Sequence, residues 1–519
     1  MPVVRSYLAD HAVAFRDKAA VVDDRPGAPV TTWSFAELNQ QANRLAHVLL
    51  GLGVKPGESV AWCGPNSPGV LRAIHALPKI GAVMVPLNYR FTAEEAAYVV
   101  HNSDAEVVYA DAEQAGLLAR IRDAVPHVRH LIVFGGPAGP GMLSAEALLE
   151  RAPESEPEVD IPEGTPSSML YTSGTTGRPK GAMRLPSDPA QVRPLLEACG
   201  NRPDDIYITT GPLYHSGPLG YLGIGQRLGN TAILQRRFDP EDWLRLVAKY
   251  RVSMTFSAPT PIRLICALPE EVKRRYDVTC MKRMVANAAP WSMALKEAYM
   301  RDFGEDSLWE VYGSTELGVD TMLAPGDHRQ RPGSCGRAVP GVEIRLYDEA
   351  GDEITEPEVP GEVFVRSANT FSGYYKAAGA TEAARRGEFA SVGDIAYRDA
   401  DGYYYICDRK SDMIISGGMN VYPAEIEAAL ERHPDIADVA VFGIPSEEWG
   451  ESVHAVVVAR PGRALTPEAV VAFARGHLAG YKTPRSVSLA AEIPRTGSGK
   501  ILKRVLREPF WQGRRARVS

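Results

Sequence analysis

From residue 34 to residue 54 the apolar side chains fall at Phe35, Leu38, Ala42, Leu45, Ala46 and Leu49, the spacing of one helix face, and the run closes at Gly51 and Gly53. Ser59-Val-Ala-Trp-Cys63 follows as a short apolar run and predicts a strand. The pattern then repeats: an apolar segment from Val70 to Ile80, a strand from Ala82 to Pro86, a helix opened by a Thr92/Glu95 capping box, and a strand from Glu106 to Ala110. Repeated helix and strand in this order predict a doubly wound α/β body. Further strands are read at Met169-Leu170-Tyr171, Ile206 to Thr210, Glu362 to Arg366 and Tyr403 to Cys407, and Leu308-Trp309 leads into another strand-to-loop edge. The acidic stretch Glu154 to Asp160 reads as a polar connector.

A charged segment, Asp408-Arg-Lys-Ser-Asp412, then separates this body from a different pattern. Beyond it come a strand at Met413 to Ser416, the pair Gly417-Gly418, a helix from Pro423 to His433, strands near 438 to 443 and 453 to 459, and a helix from Pro467 to Leu478. That is an α+β unit of about 110 residues, an ordinary domain size. The expected organisation is therefore α/β: a large N-terminal domain of several subdomains with doubly wound sheets over 1–408, a link at 409–411, and a small α+β C-terminal domain over 412–519.

Length agrees with this division, since 519 residues exceed what one core usually organises. A formal charge of −7 gives no reason to expect nucleic acid, and Arg514-Arg515-Ala-Arg517 reads as a solvated tail. The six cysteines lie far apart without a C-x-x-C pair, which suits a reduced compartment and neither a zinc site nor a disulfide frame. Asp10 and His11 interrupt any amino-terminal apolar run, and no segment approaches the ~18 apolar residues of a membrane span. A cytoplasmic protein with no transmembrane segment is expected; self-association into a homodimer is left open.

Candidate chemistry centres on Tyr171-Thr-Ser-Gly-Thr-Thr-Gly-Arg-Pro-Lys-Gly181. Gly174, Gly177 and Gly181 let backbone N–H groups approach an anion, Thr172, Ser173, Thr175 and Thr176 add hydroxyls, and Lys180 adds a positive charge. By composition alone a phosphate site and a flexible surface turn stand about equal. The common P-loop pattern G-x-x-x-x-G-K-[ST] is matched neither here nor at Gly497-Ser-Gly-Lys500, where isoleucine follows the lysine. Four further segments present single polar groups beside apolar runs: Pro212-Leu-Tyr-His215, Ala286-Asn-Ala-Ala-Pro-Trp291, Val311-Tyr-Gly-Ser-Thr-Glu316 and Val392-Gly-Asp394. Taken singly, each is also what an ordinary turn looks like.

Thr-Ser-Gly-Thr-Thr-Gly-x-Pro-Lys-Gly resembles the phosphate loop of the adenylate-forming superfamily, which includes acyl-CoA synthetases, peptide-synthetase adenylation domains and beetle luciferases. Tyr312-Gly-Ser-Thr-Glu316, Gly393-Asp394, Asp408-Arg409 and Pro494-x-Thr-x-x-Gly-Lys500 follow in the order of that family's motifs, so the resemblance covers nearly the whole chain. It implies ATP bound by residues 172–177, with Lys180, Thr315, Glu316 and Lys500 as the catalytic groups. Lys500 bridges the carboxylate and the α-phosphate, and Glu316 holds Mg2+. It places Tyr312, Gly313 and the backbone of Ala288, Ala289 and Pro290 at adenine, and Asp394 and Arg409 at ribose. His215, Trp291 and Gly313 line the acyl pocket. Ser411 becomes a pivot that turns a mobile C-terminal domain, bringing Gly417 and Gly418 to the CoA thiol. Relatives carry two glycines where this chain has Asn287 and Ala288, threonine at Val392, and lysine or aspartate at Ser411. The expected activity is ATP-dependent acyl-CoA synthesis from a fatty or similarly apolar carboxylic acid. The alternative acceptor is a carrier-protein phosphopantetheine; a non-catalytic nucleotide-binding module is disfavoured by the presence of both Lys500 and Glu316.

Overall fold

A computed structural model describes residues 7–172, 178–186, 197–198, 200–289, 291–495 and 501–512. The early alternation builds an eight-stranded sheet in which Val83–Leu87, Ser59–Cys63, Val107–Asp111, His130–Phe134 and Leu143–Ser144 run parallel. Ser168–Thr172 extends it, followed by two antiparallel edge strands, Lys180–Arg184 and Gly373–Tyr374. A nine-stranded sheet has a parallel centre made of Leu308–Ser314, Arg283–Ala286, Met254–Ser257, Ile206–Thr209, Thr231–Leu234 and Ala19–Asp23. Parallel strands buried on both faces need helices to cover them, and the apolar stripes supply that cover.

Helix Phe35–Gly51 buries all six stripe residues read from the sequence, and Pro68–Lys79 packs beside it. Between the sheets, Phe35, Leu38 and Leu45 meet Trp62 and Tyr109 of one and Tyr207 and Met254 of the other, so a single core joins both layers. Each such side chain contributes about 1.5–3 kcal/mol on burial. Capping boxes at Ser34/Glu37 and at the expected Thr92/Glu95 fix where two helices begin, at about 1 kcal/mol each. The acidic connector is not merely solvated: Glu156 accepts from Asn39, Asn43 and the buried Lys79, tying it to the helix layer.

A third, antiparallel sheet is built from segments between Glu343 and Arg409, and a five-stranded sheet from Ile414 to Leu489 forms the centre of the small C-terminal unit. Two boundaries differ from the sequence reading. The strand expected to stop at Cys407 runs Tyr404–Arg409, because Asp408 and Arg409 pair with Ile395 and Asp394 of the neighbouring strand. The helix expected to reach His433 ends at Leu430, its last buried residue; Pro434 disfavours helical backbone at the residue before it.

Candidate active site

Two hairpins from different sheets meet at the site. Strand Ser168–Thr172 buries Met169 and Leu170 and pairs antiparallel with Lys180–Arg184, with Thr172 opposite Lys180. Ser173, Gly174, Thr175, Thr176 and Gly177 lie outside the described residues, as do Pro290 and Lys500. Gly181 is demanded by packing, since a Cβ there would lie 2.8 Å from the Met169 side chain.

The second hairpin joins Leu308–Ser314 to Gly318–Leu323, and its turn carries Thr315 and Glu316. Tyr312 and Gly313 lie within the strand, and a Cβ on Gly313 would sit 2.0 Å from the Gly318 carbonyl oxygen. Glu316 is 6% exposed, and its Oε1 accepts from Thr172 Oγ1 at 2.9 Å and from the Tyr374 hydroxyl at 2.9 Å. The Phe371 N–H donates to the Glu316 carbonyl at 2.7 Å. Thr315 Oγ1 is 2.8 Å from Ser216 Oγ. Arg184 fastens the same turn, donating to the Thr315 and Asn369 carbonyls at 2.6 Å each.

Beside this junction the Tyr312 hydroxyl donates to Asp394 Oδ2 at 2.7 Å, and Arg409 Nε lies 3.2 Å from Asp394 Oδ1. Burial first, then the Asp394 carboxylate, holds the Tyr312 phenol protonated well above its ordinary range. Asp320 is fully buried one strand away, and among the described residues neither of its oxygens has a hydrogen-bond partner. Burial and then Asp394 push its carboxyl far up, with Arg184 pulling the other way.

Ala288 and Ala289 follow strand Arg283–Ala286. Ala288 takes φ +72°, the left-handed region a glycine would favour, and its N–H is bonded by the Asn287 side chain, whose Nδ2 also donates to the Val311 carbonyl at 2.8 Å. His215 immediately precedes helix Ser216–Arg227, without a side-chain capping bond, and its ring lies 4.3 Å from Tyr214; burial, then Arg90, pushes it down to about 4. Trp291 packs edge-on to Tyr299 within a core cluster of the nine-stranded sheet's helices. Ser411 lies in a turn closed by Asp412 N–H and Met413 N–H donating to the Arg409 carbonyl. Gly417 and Gly418 form the tip of hairpin Ile414–Val421, both at positive φ, and a Cβ on Gly417 would meet Trp449 at 2.7 Å.

The structure thus brings Thr172, Lys180, Thr315 and Glu316 together, with Tyr312, Asp394 and Arg409 adjacent, and sets Trp291 in a packed core. The sequence reading missed Tyr374, Arg184 and Asp320, and read Asp408 only as part of a motif and boundary without its contact to the small unit. Asp408 accepts at 2.9 Å from Ala424 N–H, at the start of the small unit's first helix, close to the Lys503/Glu427 ion pair.

Comparison with known proteins decides the family. The model of the AMP-binding enzymes matches residues 8–375, and that of the AMP-binding enzyme C-terminal domain matches residues 425–500. The chain belongs to the AMP-binding enzymes. It is an AMP-forming acid–thiol ligase of the adenylate-forming superfamily, in its acyl-CoA synthetase branch. A feruloyl-CoA synthase of Amycolatopsis sp is 35% identical over 98% of this chain and 98% of that protein. An indoleacetate–CoA ligase of Aromatoleum aromaticum is 34% identical over 92% and 94%. The crystal structure of ATP-bound MatB from Rhodopseudomonas palustris superposes on this AMP-binding enzyme with a TM-score of 0.86 at 29% identity, covering 98% of this chain and 99% of that one. Among the described residues no helix is long and apolar enough to cross a membrane.

Proposed function

We propose that this AMP-binding enzyme joins a fatty or similarly apolar carboxylic acid to CoA in two half-reactions. Resonance and negative charge make a carboxylate a poor electrophile, so it must first acquire a leaving group. In the first half-reaction a carboxylate oxygen attacks the α-phosphorus of ATP, the bond to the bridging oxygen of the β-phosphate breaks, and pyrophosphate leaves an acyl-adenylate. In the second the CoA thiol, losing its proton, attacks the acyl carbonyl and AMP departs.

The observation that carries this reading is the Glu316 carboxylate, fixed by donors from a second sheet beside the strand pair that bears Lys180. Lys180, Thr172 and residues 173–177 bind the phosphates, and Thr315 contacts the α-phosphate, as positioned dipoles and charges that act where negative charge develops. Magnesium fits the donor set: it takes one or two carboxylates and completes its shell with phosphate oxygens and water. Both donors to Glu316 share Oε1, and among the described residues no cluster of three His, Cys, Asp or Glu side chains competes for the ion. When bound at Glu316, magnesium supplies charge neutralisation to the phosphates.

Tyr312, Gly313, Ala288, Ala289 and Pro290 contact adenine, Asp394 and Arg409 the ribose, and Lys500 the carboxylate and α-phosphate. The Tyr312 to Asp394 bond supports adjacent base and ribose subsites. Residues 412–519 turn as a unit on 1–408 through 409–411 with Ser411 as pivot, bringing Gly417 and Gly418 to the thiol. His215 packed on the Tyr214 ring supports an apolar acid. Measuring AMP formation across short, medium, long, aryl and sterol-like acids tests the substrate class. Equal turnover of dicarboxylic and apolar acids would contradict it, and holo carrier protein in place of CoA separates the alternative acceptor.

A further inference from the structure

Tyr374 belongs to no motif read from the sequence, yet it touches both charges of the proposed phosphate site. It lies on the edge strand Gly373–Tyr374, opposite Ala182 in the strand that begins with Lys180. Its backbone is held on every side: Tyr374 N–H donates to Thr381 Oγ1 at 2.9 Å, Tyr375 N–H to the Gly181 carbonyl at 2.8 Å, and Ser372 N–H to the Met183 carbonyl at 2.8 Å. Phe371 packs against the ring at 4.8 Å. A tyrosine so fixed presents two different groups in two fixed directions. Its hydroxyl donates to Glu316 Oε1, and its ring face lies 5.4 Å from the Lys180 ammonium, within the range of a cation–π contact.

We propose that Tyr374 is a positioning residue that sets both opposite charges of the phosphate site, its hydroxyl orienting the Glu316 carboxylate and its ring seating the Lys180 ammonium. With Tyr374 and Thr172 both donating to Oε1, the carboxylate plane is fixed. The one side chain thus holds the two opposite charges at separate places, the ammonium on its ring face and the carboxylate at its hydroxyl. The inference rests on reading Lys180 and Glu316 as the phosphate and metal groups.

Two substitutions separate the two contacts. Tyr374→Phe keeps the ring and removes the hydroxyl; Tyr374→Leu removes both. ATP binding is measured by calorimetry without and with magnesium, and the magnesium concentration for half-maximal turnover is measured alongside. For Tyr374→Phe the metal requirement is expected to rise about fivefold to tenfold, below the full loss of a charged hydrogen bond because Thr172 remains, while metal-free ATP affinity stays within about twofold. For Tyr374→Leu metal-free ATP affinity is expected to fall as well, by about threefold to fivefold. Melting temperature is recorded for both, and Tyr374→Phe, which preserves packing, should melt with the parent. Parent-like magnesium dependence in Tyr374→Phe overturns the hydroxyl's role, and equal metal-free ATP affinity in the two variants overturns the ring's. If the parent itself binds ATP with no magnesium dependence, the reading of Glu316 fails before Tyr374 is tested.

Discussion

Replacing Arg184 by methionine keeps a long unbranched stem and removes the guanidinium that holds the Thr315 and Asn369 carbonyls at 2.6 Å each. A partly buried acceptor that loses its donor costs about 1–2 kcal/mol, so the pair costs about 2–4 kcal/mol. A second contribution comes through Asp320, whose buried carboxyl has Arg184 as the cation opposing its burial. Because that carboxyl titrates above its unfolded value near 3.9, the folded protein keeps a proton that the unfolded chain has released, and stability falls as pH rises above about 4. Removing Arg184 carries the fall to higher pH, at about 1.4 kcal/mol for each unit. Asp320→Asn imitates the protonated form and abolishes this slope. Urea unfolding at pH 5 and pH 8 of the parent, Arg184→Met, Asp320→Asn and the double variant measures both terms. Arg184→Met should lose about 2–4 kcal/mol at pH 5 and at least as much at pH 8, and adding Asp320→Asn should restore about 1 kcal/mol or more at pH 8. An Arg184→Met protein as stable as the parent, or a double variant less stable than Arg184→Met at pH 8, would refute the reasoning.

The left-handed Ala288 predicts that Ala288→Gly stabilises by about 0.5–1 kcal/mol, the relief of φ +72° outweighing glycine's larger unfolded-state entropy; loss of stability in urea contradicts this. Burial pushes Asp408 up to about 6 against the pull of Lys503, so stability should fall as pH rises from about 4 to 6 and Asp408→Asn should flatten that fall while keeping the Ala424 cap; thermal melts at pH 4.5 and 7 distinguish a flattened profile from an unchanged one. Lys500→Ala should lose acyl-adenylate formation by about 100-fold or more yet turn supplied acyl-adenylate into thioester near the parent rate, and equal loss in both half-reactions would mean that the lysine serves both or holds the fold.

Much of the architecture was legible because it is locally encoded. The stripe at Phe35, Leu38 and Leu45 needs only helical spacing to declare a buried face, and Thr92/Glu95 announces its helix within four residues. The first strand of the hairpin that bears Lys180 was legible too, since Met169-Leu170-Tyr171 forms a local apolar run. What stayed hidden depends on strands brought together late in the chain. Arg184 finds Asn369 across 185 residues and Thr172 finds Glu316 across 144, and no periodicity marks such partners in advance. Tyr374 was missed for the same reason: a two-residue edge strand carries no pattern, and its meaning comes from pairing beside Lys180. Asp408 looked like part of a charged linker because a strand's last residues and a connector share composition; only its pairing with Ile395 and its bond to Ala424 distinguish them.

The central claim is that the acid is activated as an adenylate before any thiol takes part, and exchange of labelled pyrophosphate into ATP tests it most directly. With the best acid from the substrate screen, magnesium and no CoA, label should enter ATP only when the acid is present, and adding CoA should yield AMP and thioester. Exchange that is independent of the acid, exchange that begins only after CoA is added, or ADP as the nucleotide product would contradict the account.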